Sequence, residues 1–130
     1  MINFKGKKIL ITGATGGIGY ALVKKFLSLE GTVLATGTNT EKLDALKKEF
    51  PNINVLKFDI SQHSKIEEFI ENVSSQLVGL DILVNNAGIT MDNLSLRMKD
   101  EEWNKVIDIN LSSTFYLCKH AIKKMLKNKY

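Results

Sequence analysis

Short apolar runs alternate along the chain with longer segments in which apolar residues recur every three or four positions. The apolar runs span residues 8–12, 32–36, 53–58 and 81–84. The periodic segments span residues 18–29, 41–50, 64–77 and 100 to about 127. Runs without polar alternation are typical of strands buried on both faces, and strand–helix alternation favours parallel strands joined by right-handed crossovers. The pattern predicts an α/β fold, a doubly wound parallel sheet built from four strand–helix units.

Local signals predict where the helices begin and end. Gly31 is placed to end the first helix, Asn39 and Thr40 to cap the second, and Pro51 to stop it. The last helix is predicted to be unusually long. One of its stripes has the spacing of a core-facing surface and comprises Ile107, Leu111, Phe115, Cys118, Ile122 and Met125.

Composition limits the class of protein. The 130 residues are 44% hydrophobic and 25% charged, as expected of one globular domain rather than a disordered chain. No window approaches the roughly 18 apolar residues of a membrane helix, and no signal-type segment opens the chain, so we expect a cytoplasmic protein without a membrane partner. The single cysteine, Cys118, is expected to fill apolar space in a reducing compartment, with no disulfide and no metal site.

The net charge of +4 is concentrated near the C-terminus. Residues 119–130 hold five lysines and no acids, while the rest of the chain is nearly balanced. These lysines either form the solvated face and last turn of a helix, or attract an acidic partner. Nucleic-acid binding is disfavoured because Arg97 is the sole arginine and Tyr130 the one aromatic residue beside the lysines.

A glycine-rich segment follows the first predicted strand and opens the first helix. Backbone N–H groups at such a junction can meet an anion, and glycines allow the close approach. Gly13 would make the turn, Gly17 would keep side-chain bulk from a pyrophosphate, and Gly19 would let the helix press against the sheet. A merely tight connection is the alternative. The candidate phosphate-binding residues are Gly13, Ala14, Thr15, Gly16, Gly17, Ile18 and Gly19.

The end of the second strand bears on which dinucleotide would be held. An acid there normally binds the adenosine ribose hydroxyls, but residues 36–39 contain no carboxylate. A ribose 2′-phosphate would escape a like-charge penalty of roughly 4 kcal/mol at contact distance and an effective dielectric near 20. NADP(H) is therefore favoured over NAD(H), with Thr38 and Asn39 as hydrogen-bond donors and Lys42 as the nearest cation.

Two further candidates follow the third and fourth strands. Asp59 and Ile60 could place a carboxylate near an adenine amino group and an apolar side chain beneath the ring; a helix N-cap region formed by Asp59 and Ser61 is an equal alternative. After the fourth strand, two amides, a small residue and a glycine suit both backbone bracing and a close cofactor. These residues are Asn85, Asn86, Ala87 and Gly88.

With these motifs, the chain resembles the short-chain dehydrogenase/reductase family over its whole length. Within that family, residues 88–94, 97–103 and 106–111 resemble the bacterial 3-oxoacyl-[acyl-carrier-protein] reductases. The resemblance implies an NADP-binding Rossmann-type domain over residues 1–130, forming the N-terminal part of an enzyme of fatty-acid biosynthesis. It also implies NADPH-dependent reduction of a 3-oxoacyl group on acyl carrier protein to the 3-hydroxyacyl form, in a homotetramer. Gly16 stands where many NADP-preferring relatives have a basic residue.

The resemblance also assigns roles to individual residues. Thr38 would lie near the 2′-phosphate, Asp59 and Ile60 at adenine, and Asn86 near the nicotinamide-side ribose. Asn110 corresponds to the asparagine of the family's Asn-Ser-Tyr-Lys catalytic set, where it holds a water that connects the lysine to solvent.

Asn110 also stands out from the helical spacing. It shares a stripe with Trp103, Val106, Leu117 and Ala121, and a buried amide needs polar partners. The partners of the Asn110 amide could be neighbouring backbone groups or a structural water, at a kink in the helix. A catalytic role is the other interpretation.

The family's serine and Tyr-x-x-x-Lys elements have no match in this sequence. Tyr20 and Lys24 have the spacing but lie on the helix behind the phosphate loop, and His63 and His120 are expected on the surface. We therefore expect the 130-residue chain alone to be inactive, with an unpaired fourth strand and a half-covered last helix that favour association. The alternatives are a non-catalytic dinucleotide-binding module or a reductase of 3-oxoacyl-coenzyme A.

Overall fold

A computed structural model describes residues 2–87 and 98–127 and confirms the α/β architecture. The strands are β1 (Lys8–Ile11), β2 (Thr32–Gly37), β3 (Asn54–Lys57) and β4 (Ile82–Val84). The helices are α1 (Gly17–Ser28), α2 (Thr40–Glu49), α3 (Ile66–Leu77), α4 (Asp100–Val106) and α5 (Ser113–Lys127). A short 3₁₀ turn, His63–Lys65, leads into α3. The four strands are parallel in the order β3-β2-β1-β4.

The two central strands, β1 and β2, are buried on both faces, as the apolar runs predicted, whereas β4 is half-buried and β3 is half-buried except for the exposed Lys57. Ile9 and Ile11 of β1 pack on one side with α1 and α2, while Leu10 between them packs on the other side with α3 and α5. This alternation follows from the two-residue period of a strand. Two hydrophobic layers therefore hold the sheet and fix the ends of its strands relative to one another.

Helix boundaries follow the sequence signals with one correction. Asn39 caps α2, its Oδ1 accepting from the Lys42 N–H at 3.0 Å, and α2 ends before Pro51. Gly31, however, is not the left-handed residue after α1; Glu30 takes that conformation with φ 69°. A Cβ on Gly31 would lie 2.6 Å from Ile9 Cδ1 and 3.1 Å from the Phe26 carbonyl oxygen, so close packing explains this glycine.

The last helix is long, as predicted, but it is interrupted. Residues Ile107–Ser112 form a π-helical segment, called here the π segment, between α4 and α5. After it, the buried face consists of Ser113, Leu117 and Ala121.

The predicted core-facing stripe on this helix is largely wrong. Leu111, Phe115 and Ile122 are 63%, 55% and 52% exposed. The π segment accommodates an extra residue, which rotates the residues on either side of it by roughly 100° relative to a regular helix. Association of the chain through this exposed face stays a prediction.

β4 lies at one edge of the described sheet, as expected, and pairs with β1 alone. Among the described residues, none of the helices is both long and apolar enough to span a bilayer.

Candidate cofactor site

A cleft of about 450 Å³ opens at the carboxyl ends of the strands. It lies where β1 separates β2 from β4, the point at which the chain changes direction across the sheet. Open α/β sheets bind ligands at such points. The cleft is lined by Gly13, Thr15, Gly16, Gly17, Ile18, Thr36, Gly37, Thr38, Phe58, Asp59, Ile60, Asn86, Ala87 and Ile109.

The glycine loop forms the floor of the cleft. Gly13 has φ 62°, and a Cβ there would lie 2.7 Å from Ala87 Cα, so both conformation and space exclude a side chain. By contrast, a Cβ on Gly17 would meet no protein atom within 4 Å, and one on Gly16 would meet only the Gly13 carbonyl oxygen, at an ordinary contact distance of 3.9 Å. The loop therefore leaves room for a ligand above its backbone at these two positions.

Helix α1 presents its first turn to the same space. Its N-cap is Gly16, no side chain caps it, and its first turn contains no acidic residue. The first N–H groups of a helix have no acceptor within the helix, and they carry a partial positive charge. This end of α1 is therefore suited to an anionic group.

Gly19 is buried, and it allows close packing within the loop instead of lining the cleft. A Cβ there would lie 2.5 Å from Ala14 Cα, so the contact that Gly19 allows is between α1 and the loop backbone, not between α1 and the sheet. Ala14 is also buried, and its N–H donates to the Thr36 carbonyl at 3.1 Å.

Thr12 joins the glycine loop to the segment after β4. Its side chain is 1% exposed, and its Oγ1 accepts from the N–H groups of Asn86 at 3.1 Å and Ala87 at 3.0 Å. The Asn86 side chain in turn donates from Nδ2 to the Gly13 carbonyl at 3.0 Å. Two walls of the cleft are thus held together by a hydroxyl that the sequence analysis did not single out.

Other lining residues were also missed from the sequence. Thr36, Gly37, Phe58 and Ile109 all reach the cleft. Thr12 and Thr36 could have been recognised from the sequence, because each is a hydroxyl residue that interrupts or ends an otherwise apolar strand. Phe58 stacks on Phe69 with ring centroids 4.1 Å apart, a contact between sequence-distant residues that no local pattern indicates.

Asp59 forms a turn with Ser61 rather than a helix N-cap, since the N-caps of the 3₁₀ turn and of α3 are Gln62 and Lys65. Its Oδ1 accepts from the Ser61 N–H at 2.9 Å and from the Ser61 hydroxyl at 2.7 Å, and it also borders the cleft. These hydrogen bonds from Ser61 lower the pKa of the Asp59 carboxyl below its ordinary value, so it is ionised at neutral pH. Ile60 beside it is buried and forms an apolar part of the wall.

The region after β2 lacks a carboxylate, as the sequence shows. Thr38 is exposed at the rim of the cleft, while the side-chain oxygen Oδ1 of Asn39 is engaged in capping α2. Lys42 borders a separate, smaller pocket between α1 and α2 rather than this cleft.

Two candidates after β4 lie apart from the lining. Asn85 is exposed, and its Nδ2 donates to Cys118 Sγ at 3.3 Å. Gly88 lies outside the described residues.

Asn110 lies in the π segment, next to the cleft-lining Ile109. The expectation that its side chain is buried is wrong, because Asn110 is exposed. The π segment explains the difference, since it rotates Asn110 away from the buried face of Leu117. In place of the kink considered for this residue, the helix has the π segment.

Tyr20 does not face the cleft. Its hydroxyl donates to the Glu49 carboxylate on α2, which raises the pKa of the Tyr20 phenol. A phenol held by a carboxylate on the far side of the loop is unsuited to act as the cleft's proton donor, in agreement with reading Tyr20 and Lys24 as a coincidence of spacing.

His63 differs from its expected surface position. It is half-buried, with Nε2 2.9 Å from Ser113 Oγ. Within the described ranges 2–87 and 98–127, no group of three His, Cys, Asp or Glu side chains could hold a metal ion.

The sequence of the chain matches a known protein family. Residues 7–130 match the protein family described as short chain dehydrogenase. The chain belongs to the short-chain dehydrogenase family. The four-stranded sheet is thus that of a short-chain dehydrogenase, and so is the glycine loop at the point where the chain changes direction across the sheet. The resemblance drawn from the motifs is confirmed.

Curated relatives are bacterial reductases. The chain is 48% identical over 134 residues to the 3-oxoacyl-[acyl-carrier-protein] reductase FabG of Rickettsia felis and 45% identical over 130 residues to that of Rickettsia bellii. It is 40% identical over 130 residues to the protein of the same name from Escherichia coli. The matches cover 99–100% of this chain and 53% of each relative, so the chain spans about half the length of these proteins.

Solved structures agree with this membership. A short-chain dehydrogenase/reductase from Brucella melitensis, described as SDR: Glucose/ribitol dehydrogenase, superposes with a TM-score of 0.89 at 32% identity. That match covers 95% of this chain and 54% of the other. A short-chain type dehydrogenase/reductase from Mycobacterium ulcerans shares the fold, with a TM-score of 0.90 at 23% identity over 98% of this chain and 49% of that one.

Proposed function

We propose that residues 1–130 form a nicotinamide dinucleotide-binding domain and that the strand-end cleft holds NADP(H). The observation that carries this proposal is the open space above Gly16 and Gly17, at the uncapped first turn of α1. A diphosphate needs backbone donors without intervening side chains, and this is the part of the cleft that offers them.

The remaining lining residues fit the other parts of the cofactor. Ile60 supplies an apolar surface and ionised Asp59 an acceptor for an adenine amino group. Asn86 and Ala87 lie on the β4 side, where the nicotinamide-side ribose is proposed to bind. Asn85 and Gly88 remain candidates by resemblance alone.

The preference for NADP(H) over NAD(H) rests on the end of β2. Thr38 occupies the rim, and residues 36–39 offer hydroxyl and amide groups but no carboxylate. Thr38→Asp would place a negative charge there, with a cost to a 2′-phosphate of about 1 kcal/mol in a water-like environment and about 4 kcal/mol at an effective dielectric of 20. NADPH affinity should therefore fall at least about fivefold, with a smaller change for NADH; equal losses would contradict the preference.

We further propose that the chain is part of an oxidoreductase that reduces the 3-oxoacyl group of acyl carrier protein-linked substrates. The reductases FabG, at 40–48% identity, support this substrate class. The cofactor would supply a hydride, and the carbonyl oxygen would need a separate proton donor. None of the described residues at the cleft is a tyrosine, and Asn110 remains the one catalytic candidate, by resemblance.

Two consequences can be measured. The purified 130-residue chain should bind the nucleotide without oxidising NADPH in the presence of an acetoacetyl thioester, and turnover that is lost in Asn110→Ala would contradict this. The homotetramer and the cytoplasmic location stay predictions.

Isothermal titration of the chain with NADPH and NADH tests the binding proposal. Gly17→Ala is the informative variant, because the added methyl group meets no protein atom within 4 Å but enters the space assigned to the diphosphate. It should unfold at the wild-type temperature and bind nucleotide at least several-fold more weakly. A folded wild-type chain that binds neither nucleotide, or a Gly17→Ala chain that binds normally, would contradict the proposal.

A further inference from the structure

The His63 side chain lies between the turn that precedes α3 and the π segment. Its Nε2 is 3.1 Å from the Asp108 carbonyl oxygen and 2.9 Å from Ser113 Oγ. The Tyr116 ring, one turn further along α5, packs against the imidazole with centroids 4.9 Å apart. The imidazole therefore contacts the two residues, Asp108 and Ser113, whose backbone groups form a π-helical hydrogen bond.

Ser113 connects this contact to the cleft wall. It is fully buried, and its Oγ lies 2.7 Å from the Ile60 carbonyl oxygen and 2.8 Å from the Asp108 carbonyl oxygen. A hydroxyl has one proton and can donate to only one of these carbonyls at a time. The Asp108 carbonyl oxygen also accepts from the Ser113 N–H, so it keeps a donor when the hydroxyl serves Ile60, and His63 Nε2–H is placed to donate to it as well.

The contact also specifies the protonation of the ring. An imidazole donates from Nε2 in its neutral Nε2–H tautomer and in its doubly protonated form. In the other neutral tautomer, Nε2 could only accept the Ser113 hydroxyl proton, which would take that proton from the Ile60 and Asp108 carbonyl oxygens. The arrangement therefore favours a protonated Nε2.

We propose that His63 is a positioning residue that fixes the π segment against the Ile60 wall of the cleft. Ile60 and Ile109 both line the cleft; the Ile60 carbonyl contacts Ser113 Oγ, and Ile109 directly follows Asp108 in the chain. Loss of the imidazole would remove its contacts with Asp108, Ser113 and Tyr116 and would free Ile109 to shift relative to Ile60. The effect on nucleotide affinity rests on the function proposed above, whereas the effect on the segment does not.

Nuclear magnetic resonance of the nucleotide-free chain tests the positioning role directly. The ¹⁵N signals of the His63 ring should show a protonated Nε2, and His63→Ala should shift the amide signals of Ile60, Ile109 and Ser113. His63→Gln should restore them, because its amide nitrogen can reach a similar position and donate. His120→Ala is the matched control, since His120 is similarly half-buried but borders a different pocket.

Binding supplies the second measurement. A lost hydrogen bond of ordinary strength predicts a three- to tenfold weaker affinity for NADPH in His63→Ala, with wild-type affinity in His63→Gln and His120→Ala. A wild-type ring with a protonated Nδ1 alone, or unchanged amide signals at Ile109 and Ser113 in His63→Ala, would overturn the role of His63. If wild type binds no nucleotide, the proposed function fails, and the amide signals alone decide the role of His63.

Discussion

Replacing Thr12 by valine removes the hydroxyl that joins the two walls of the cleft while keeping the shape of the side chain. In the wild-type chain this hydroxyl accepts from the N–H groups of Asn86 and Ala87. The Asn86 N–H also lies 3.1 Å from the Val84 carbonyl oxygen, so it keeps an acceptor in the variant. The Ala87 N–H loses its hydrogen-bond acceptor.

The expected loss of stability follows from that one unsatisfied donor. A buried N–H without an acceptor costs about 1–3 kcal/mol, and Ala87 is half-buried, so the lower part of this range applies. For a chain of this size, 1 kcal/mol corresponds to a fall of roughly 3–6 °C in the midpoint of thermal unfolding. Because Ala87 also packs on Gly13, we expect nucleotide affinity to fall as well.

Hydrogen exchange separates the hydroxyl from the rest of the side chain. Thr12→Val should speed exchange of the Ala87 amide, whereas Thr12→Ser, which keeps the hydroxyl but loses a methyl group, should leave it slow even if global stability falls by about 1 kcal/mol. Slow exchange of Ala87 in Thr12→Val, or equally fast exchange in both variants, would refute the account of this contact.

Three further predictions concern other parts of the fold. Gly19→Ala should destabilise the chain by about 2 kcal/mol or more, because its Cβ would lie 2.5 Å from Ala14 Cα; a wild-type melting temperature would show that the loop has room. Val78 is 85% exposed and has φ 57°, a conformation that is costly for a β-branched residue. Val78→Gly should therefore raise the free energy of unfolding, measured by urea denaturation, by roughly 1 kcal/mol. A lower free energy of unfolding would contradict the backbone strain at this position. The pKa of Asp59 is lower in the folded chain than in the unfolded chain. Its carboxylate therefore stabilises the fold at any pH above the pKa of the unfolded state, and this contribution is lost as the pH falls through the pKa of the folded state. Ser61→Ala should raise the pKa of Asp59 toward its ordinary value in a carboxyl NMR titration, and an unchanged value would assign the shift to another cause.

The sheet and the glycine loop were predictable from the sequence because their signals are local. Four apolar runs, each followed by a periodic segment, indicate buried parallel strands, and Gly13 lies at the junction of β1 and α1, where its backbone has a positive φ. The cap at Asn39 and the stop at Pro51 are likewise properties of a few adjacent residues.

The last helix was predicted less well, because helical periodicity assumes a constant rotation per residue. The π segment breaks that assumption, so Asn110 and Phe115 proved exposed while Ser113 proved fully buried. The contacts of Thr12 and His63 were missed for a different reason. Their partners are separated from them by about 45 to 75 residues, and no local pattern reports such a distance.

A crystal structure of the chain grown with NADPH decides whether the strand-end cleft is the nucleotide site. We expect the diphosphate beside the N–H groups of Gly17 and Ile18 at the start of α1, with the adenine against Ile60 and the 2′-phosphate near Thr38. Nucleotide bound elsewhere on the chain, or an empty cleft in crystals grown at saturating NADPH, would contradict it.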